Sequence, residues 1–262
     1  MHDIQHEIQP FLEWFDRYVG DFEEGTFQDR ENILLKKRHS LRVLEEATRI
    51  ADGIGLDREQ RTLALLTALL HDVGRFPQYK RYRTFRDDES VDHARLGYER
   101  LKDEGVLTTL GPGRERTVLV GVLLHNRLRL SSKLQGHIRT VCQVVRDADK
   151  LDILDVLVPY LAPGGPENRV ITMALDPDPK HYSQKLVDAV LSGSMGDYRE
   201  MVWLNDFKLL LLSWVYDFNF PPTRKRFLEQ GFLDRLFSFL PEMPEKTPLR
   251  ERIMHHLSNG DS

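Results

Sequence analysis

The chain has 262 residues, with 37 basic and 41 acidic side chains, a net charge of −4, 40% hydrophobic and 30% charged residues. That is an ordinary globular composition, long enough for one large domain or two small ones, and without the basic excess that general nucleic-acid or membrane-surface binding requires. The one cysteine, Cys142, excludes an internal disulfide and fits a reducing, cytoplasmic setting.

Helical spacing dominates, and alternating strand patterns are nearly absent. The first stretch, mixed acidic and apolar, has neither a basic segment nor a long apolar one, so no signal peptide is expected. It reads instead as a helix over about 3–19. A second helix covers about 31–52. Asp57, followed by Gln60, predicts a capped start for a third, running to about 72, where Gly74 and Pro77 end it. Residues 75–90 read as a polar, basic loop. Ser90 is expected to cap a helix to about 104, and Gly111-Pro112-Gly113 breaks the chain before a helix over about 114–128. Another follows over about 133–158. Beyond a loop at 158–169 and a turn at 176–179, helices are expected at about 181–192, 196–218, 223–229 and 231–239. The longest apolar run, Leu209–Val215, is far short of the roughly 20 residues a membrane span needs. The expectation is a single all-α domain with a C-terminal helical extension from about 170 to 262.

Four histidines, His39, His71, His93 and His125, fall one each on successive predicted helices, and Asp72 follows His71 directly. A fifth helix carries Asp147, Asp149 and Asp152. His39 shares its face with Leu35, Val43, Ala47 and Ile50, so it points inward. His71 follows the small residues Ala64, Thr67 and Ala68; His93 lies with Gly97 and Leu101; His125 lies with Val118, Gly121 and Val122. Asp149 continues the face of Ile138, Cys142 and Val145, whereas Asp147 lies toward Thr140 and Gln143. Periodicity favours Asp149 as the inward carboxylate, with Asp152 next. A single histidine on an apolar face is ordinarily a hydrogen-bonded core residue. Several ionisable groups buried together are costly unless they pair or bind a metal. Imidazole with carboxylate suits Mn, Fe, Ni, Co or Zn, and the lack of cysteine ligands argues against a structural zinc site. His71 and Asp72 together supply one nitrogen ligand and one carboxylate able to bridge two ions, and they are the expected catalytic pair.

The pattern His39, His71-Asp72, Asp149 resembles the HD superfamily of metal-dependent phosphohydrolases, over about residues 33–155. The resemblance implies an HD-domain helical bundle with its core at about 31–158. Ala148-Asp149-Lys150 is similar to the "AD" followed by Lys or Arg of many members. His93 and His125 resemble the extra ligands of the binuclear branch, which includes the HD-GYP phosphodiesterases. The implied division puts His39 and Asp149 on one ion and His93 and His125 on the other, with His71 joining one of them and Asp72 bridging. Mg is a further candidate metal. Three departures stand against a cyclic-dinucleotide substrate: Arg75 replaces the usual Lys, Asn126 follows His125 where a second histidine is usual, and no GYP motif is present.

Arg75 and Arg83, in the basic stretch after the motif, are candidates to grip a substrate phosphate, since guanidinium matches phosphate oxygens. Lys36, one turn before His39, and Lys150, beside Asp149, are further candidates. Asn126 is expected to orient a ligand or hold a water. His137, His255 and His256 are read as structural or solvated. Trp203, Phe207, Leu210, Leu211 and Trp214 form a core-like stripe, and Tyr216 and Asp217 either pack or close over the site. The expected activity is hydrolysis of a nucleotide or other small phosphate ester by a metal-activated water. The alternatives are a di-iron oxygenase, which some HD proteins are, and a non-catalytic nucleotide sensor.

Overall fold

The computed structural model describes residues 2–259, with side chains from residue 6 onward. The fold is all-α. Among the described residues the one extended pairing is an isolated parallel bridge between Asp176 and Trp203. The chain divides after Asp152 into two compact units.

In the first unit, α1 (His2–Gly20), α2 (Phe27–Gly53), α3 (Arg58–Leu70), α4 (Arg75–Tyr82), α5 (His93–Asp103) and α6 (Pro112–Leu124) precede α7 (Gly136–Leu161), which runs through the division. Thr26 and Asp29 form a capping box that starts α2, and Asp57 Oδ1 accepts from the Gln60 amide at 2.8 Å to start α3. Every residue from Thr62 to Leu70 is buried. A helix apolar all round must be central, and α1, α2 and α6 all pack against α3. His71-Asp72 therefore emerges where the central helix ends.

Two glycines let the neighbouring helices close in. A Cβ on Gly74 would stand 2.1 Å from the carbonyl oxygen of His93, so the start of α5 can rest on the α3–α4 turn only if residue 74 has no side chain. A Cβ on Gly121 would stand 2.4 Å from Thr67 Cγ2, which sets how closely α6 approaches α3.

Several predicted boundaries need correction. Residues 75–82 are helical, not loop: Pro77 sits in the first turn of α4, where its missing N–H is not needed. Asp92, not Ser90, caps α5, accepting from the Ala94 and Arg95 amides, while Ser90 Oγ donates to the Arg86 carbonyl. The helix expected at 114–128 stops at Leu124.

In the second unit, α8 (Gln184–Leu191), α9 (Leu204–Ser213), α10 (Pro221–Glu229), α11 (Phe232–Phe239) and α12 (Lys246–Asn259) follow. The long helix expected at 196–218 is broken. The fully buried Asp206 carboxylate accepts from the amides of Val202, Trp203 and Ser183 and from Ser183 Oγ, which holds residues 202–203 extended and starts α9 at Leu204. A short 3-10 turn at Trp214–Asp217 ends it. Helix α12 was not expected; its buried Leu249, Ile253 and Leu257 recur every four residues. It carries His255 and His256, and the His256 ring lies against Tyr216, whose hydroxyl donates to the Val190 carbonyl at 2.9 Å. Phe207, Leu210 and Leu211 are buried, as the stripe predicted.

Candidate metal centre

The helices bring the four histidines, Asp72 and Asp149 together. His71 is the C-cap of α3, His125 the C-cap of α6 and His93 the first residue of α5, while His39 lies within α2 and Asp149 within α7. All four histidines are buried. In each, Nδ1 faces a group that can only accept. His71 Nδ1 lies 2.7 Å from the Ala68 carbonyl and His125 Nδ1 2.7 Å from the Val122 carbonyl. His39 Nδ1 lies 2.6 Å from Asp152 Oδ2, and His93 Nδ1 2.6 Å from Asp87 Oδ2. Every Nδ1 therefore donates a proton to its partner, and each ring turns its Nε2 toward the centre.

Those nitrogens meet in two halves. His39 Nε2 and His71 Nε2 are 3.3 Å apart; His93 Nε2 and His125 Nε2 are 3.0 Å apart. Asp72 lies between them. Its Oδ2 is 3.4 Å from His39 Nε2 and 3.7 Å from His71 Nε2, whereas its Oδ1 is 3.3 Å from His93 Nε2 and 3.6 Å from His125 Nε2. Asp149 Oδ1 joins the first half, 3.1 Å from His39 and 3.6 Å from His71. His39–His71–Asp72, His71–His125–Asp149 and Asp72–His93–His125 each bring one ligand atom per residue within 4.8 Å of the others, so each group could hold a metal ion. The donor spacing fits. Two imidazole nitrogens bound to one ion at about 2.1 Å, near a right angle, stand about 3.0 Å apart.

The electrostatics differ between the two halves. Burial and Lys36 both oppose a proton on His39, yet Asp149, Asp152 and Asp72 outweigh them and push its imidazole up to about 10. Burial and Arg75 push His93 down to about 4, against the pull of Asp87. Burial opposes charge on Asp72, but Lys36 and the surrounding histidines hold its carboxyl well below the usual carboxylate range. Burial likewise opposes charge on Asp149, and His39 and His71 overcome it.

Residues 37–154 match the family model of the HD domain. Over those residues the chain is similar to an HD domain. HD domains are a metal-dependent, generally phosphohydrolase family that binds divalent ions, and the clustered His and Asp side chains are compatible with such a site. Neither a curated protein nor a solved structure matches the chain.

The other candidate residues divide. Lys36 Nζ lies 2.8 Å from Asp72 Oδ2, with its ammonium over the Phe85 ring. Lys150 is buried, its Nζ 3.5 Å from the Arg146 carbonyl. Arg75 Nη1 donates to Gln78, to the Phe85 carbonyl and to Asp87, and its Nε, 3.5 Å from Asp72 Oδ1, is buried without a hydrogen bond. Asn126 Nδ2 donates to Asp87 and Asp92, leaving its buried Oδ1 without a partner. Arg83, in the left-handed conformation, pairs with Asp29 at 2.8 Å and lies over the Tyr79 ring. Among the described residues, Asp147 is buried but brings no ligand atom to these groups.

Two supporting residues escaped the sequence reading. Asp87 lies in a run of three acids, Asp87-Asp88-Glu89, with nothing in the local pattern to single it out. Arg146, interrupting an apolar face, drew no attention, yet it is buried and donates to the carbonyls of His125, Arg127 and Leu128, fixing the chain that leaves α6. A basic residue on an otherwise buried stripe was the available signal.

Proposed function

We propose that the protein is a phosphohydrolase with two divalent ions, acting on a nucleotide or another small phosphate ester. The observation that carries this reading is Asp72, which turns one oxygen to the His39–His71 pair and the other to the His93–His125 pair. His39, His71, Asp72 and Asp149 would hold one ion, and Asp72, His93 and His125 the other. Such ions supply a water of near-neutral pKa and Lewis-acid stabilisation of a phosphoryl oxygen.

The chain's own side chains do the rest. Asp152, Asp87 and two backbone carbonyls hold the four imidazoles with Nε2 toward the centre, so the rings need not turn to ligate. Lys36, at the rim of the first half, offers an ammonium that can pass from Asp72 to a phosphate oxygen. Arg75 is committed to Asp87 and the Phe85 carbonyl, so it holds the loop in place while adding positive charge beside Asp72.

The test is phosphate release from a panel of nucleotides and small phosphate esters, by metal-stripped protein resupplied with Mn, Fe, Co, Ni or Mg. Release that depends on the ion and stops with chelator is expected. No release with any ion would overturn the reading. Oxygen consumption by the iron-loaded protein, without phosphate release, would replace it with an oxygenase.

A further inference from the structure

The four ligand histidines are not held alike. His71 and His125 are anchored by carbonyls three residues back in their own helices, so α3 and α6 set them by being helical. His39 is anchored by Asp152, a buried residue of α7 that Arg42 also grips through Nε and Nη2. His93 alone depends on a group outside the helices: Asp87, in the 3-10 turn Asp87–Glu89 between α4 and α5.

Asp87 is a junction. Both its oxygens accept from His93 Nδ1, at 2.8 and 2.6 Å. Oδ1 also accepts from Arg75 Nη1 and Gln78 Nε2, each at 2.9 Å, and Oδ2 from Asn126 Nδ2 at 3.3 Å. One carboxylate thus ties the loop to α4, to the first residue of α5, and to the residue that follows His125. Asp87 bears on both histidines of the second half and on neither of the first. Asp149 Oδ1 lies beside His39 and His71, whereas the further carboxylates grouped with His93 are Asp87 and Asp92.

We infer that Asp87 is the positioning residue that sets occupancy of the second ion, and that the loop at 83–92 is coupled to that occupancy. The coupling runs both ways by linkage: a loop that holds His93 correctly tightens the second ion, and the second ion orders the loop. The inference rests on the two-ion reading above.

The test titrates Mn²⁺ into the metal-stripped full chain, following stoichiometry by calorimetry and the exchange-coupled two-ion signal by electron paramagnetic resonance. In Asp87→Asn the second Mn²⁺ is expected to bind roughly 10–100-fold more weakly, the usual effect of losing an outer partner of a ligand histidine, with the first unchanged and the coupled signal lost. Asp152→Asn is the mirror, weakening the first ion. Wild-type protein gives a second readout that needs no variant: the second equivalent of Mn²⁺ slows amide exchange in residues 83–92. Two ions of unchanged affinity in Asp87→Asn, or no slowing in that loop, overturns the role of Asp87 alone. A wild-type chain that takes fewer than two ions overturns this inference together with the two-ion reading.

Discussion

Asp72 is the residue on which both halves of the centre converge, and its loss should be felt in both. Asp72→Ala is expected to remove at least one bound ion and to lower phosphate release by more than about 100-fold, beyond the loss from any outer partner. Retention of two ions in that variant, by metal analysis, would assign the bridge elsewhere. Lys36 has an opposite pair of effects. Its ammonium occupies the same Asp72 oxygen that faces His39 and His71. Lys36→Met removes a competing cation, so Mn²⁺ should bind as tightly or more tightly, while kcat/KM for a phosphate ester falls roughly 10-fold for want of a charge-assisted contact. A parallel loss of metal and activity would mean that Lys36 supports Asp72 and does not meet substrate.

At the level of elements, the centre exists because α5 and α6 approach α3 over glycines. Gly121→Ala drives its new methyl into Thr67 Cγ2, and overpacking of this kind costs about 1–3 kcal/mol. Thr67→Ser removes that methyl and keeps the hydroxyl that donates to the Leu63 carbonyl. The double variant should therefore recover most of the loss in denaturant unfolding; simple additivity of the two changes would show that the clash is relieved some other way. Gly74→Ala has no such remedy, because the obstruction is backbone: the His93 carbonyl and, at 2.6 Å, the Gly97 amide nitrogen. It should displace the start of α5 and with it His93.

For the molecule as a whole, the division after Asp152 puts every candidate ligand in the first unit. Mn²⁺ at a hundredfold excess over its Kd should stabilise that unit by about 2.7 kcal/mol, read as slowed amide exchange across its core. Equal slowing in residues 153–259 would mean that the two units unfold together. The second unit carries its own titration. Lys208 is buried, with Nζ between Asn205 Oδ1 and the Phe239 carbonyl, and burial pushes it from 10.5 down to about 8. Between those two values the unfolded chain holds a proton that the folded chain has released, so the contribution of Lys208 to stability rises as pH goes from about 8 to about 10.5. Lys208→Met should abolish that rise, and an identical pH slope in wild type and variant would refute it.

Helical periodicity, the inward faces of His39, His93, His125 and Asp149, and the resemblance carried by His71-Asp72 were all legible along the chain, because each depends on neighbours three or four residues away. The capped start of α3 at Asp57 was legible for the same reason. Pro77 misled because a proline ends a helix or begins one, and only the course of the chain around α4 decides which. The break at Asp206 was hidden because its partners include Ser183, more than twenty residues earlier. The same holds at the centre. Sequence supplied the candidate ligand types; it could not show that Asp72 turns one oxygen to each histidine pair, or that Asp87 reaches His93 while Arg83 goes to Asp29. Those choices are made by contacts between distant segments, and periodicity holds no information about which distant groups meet.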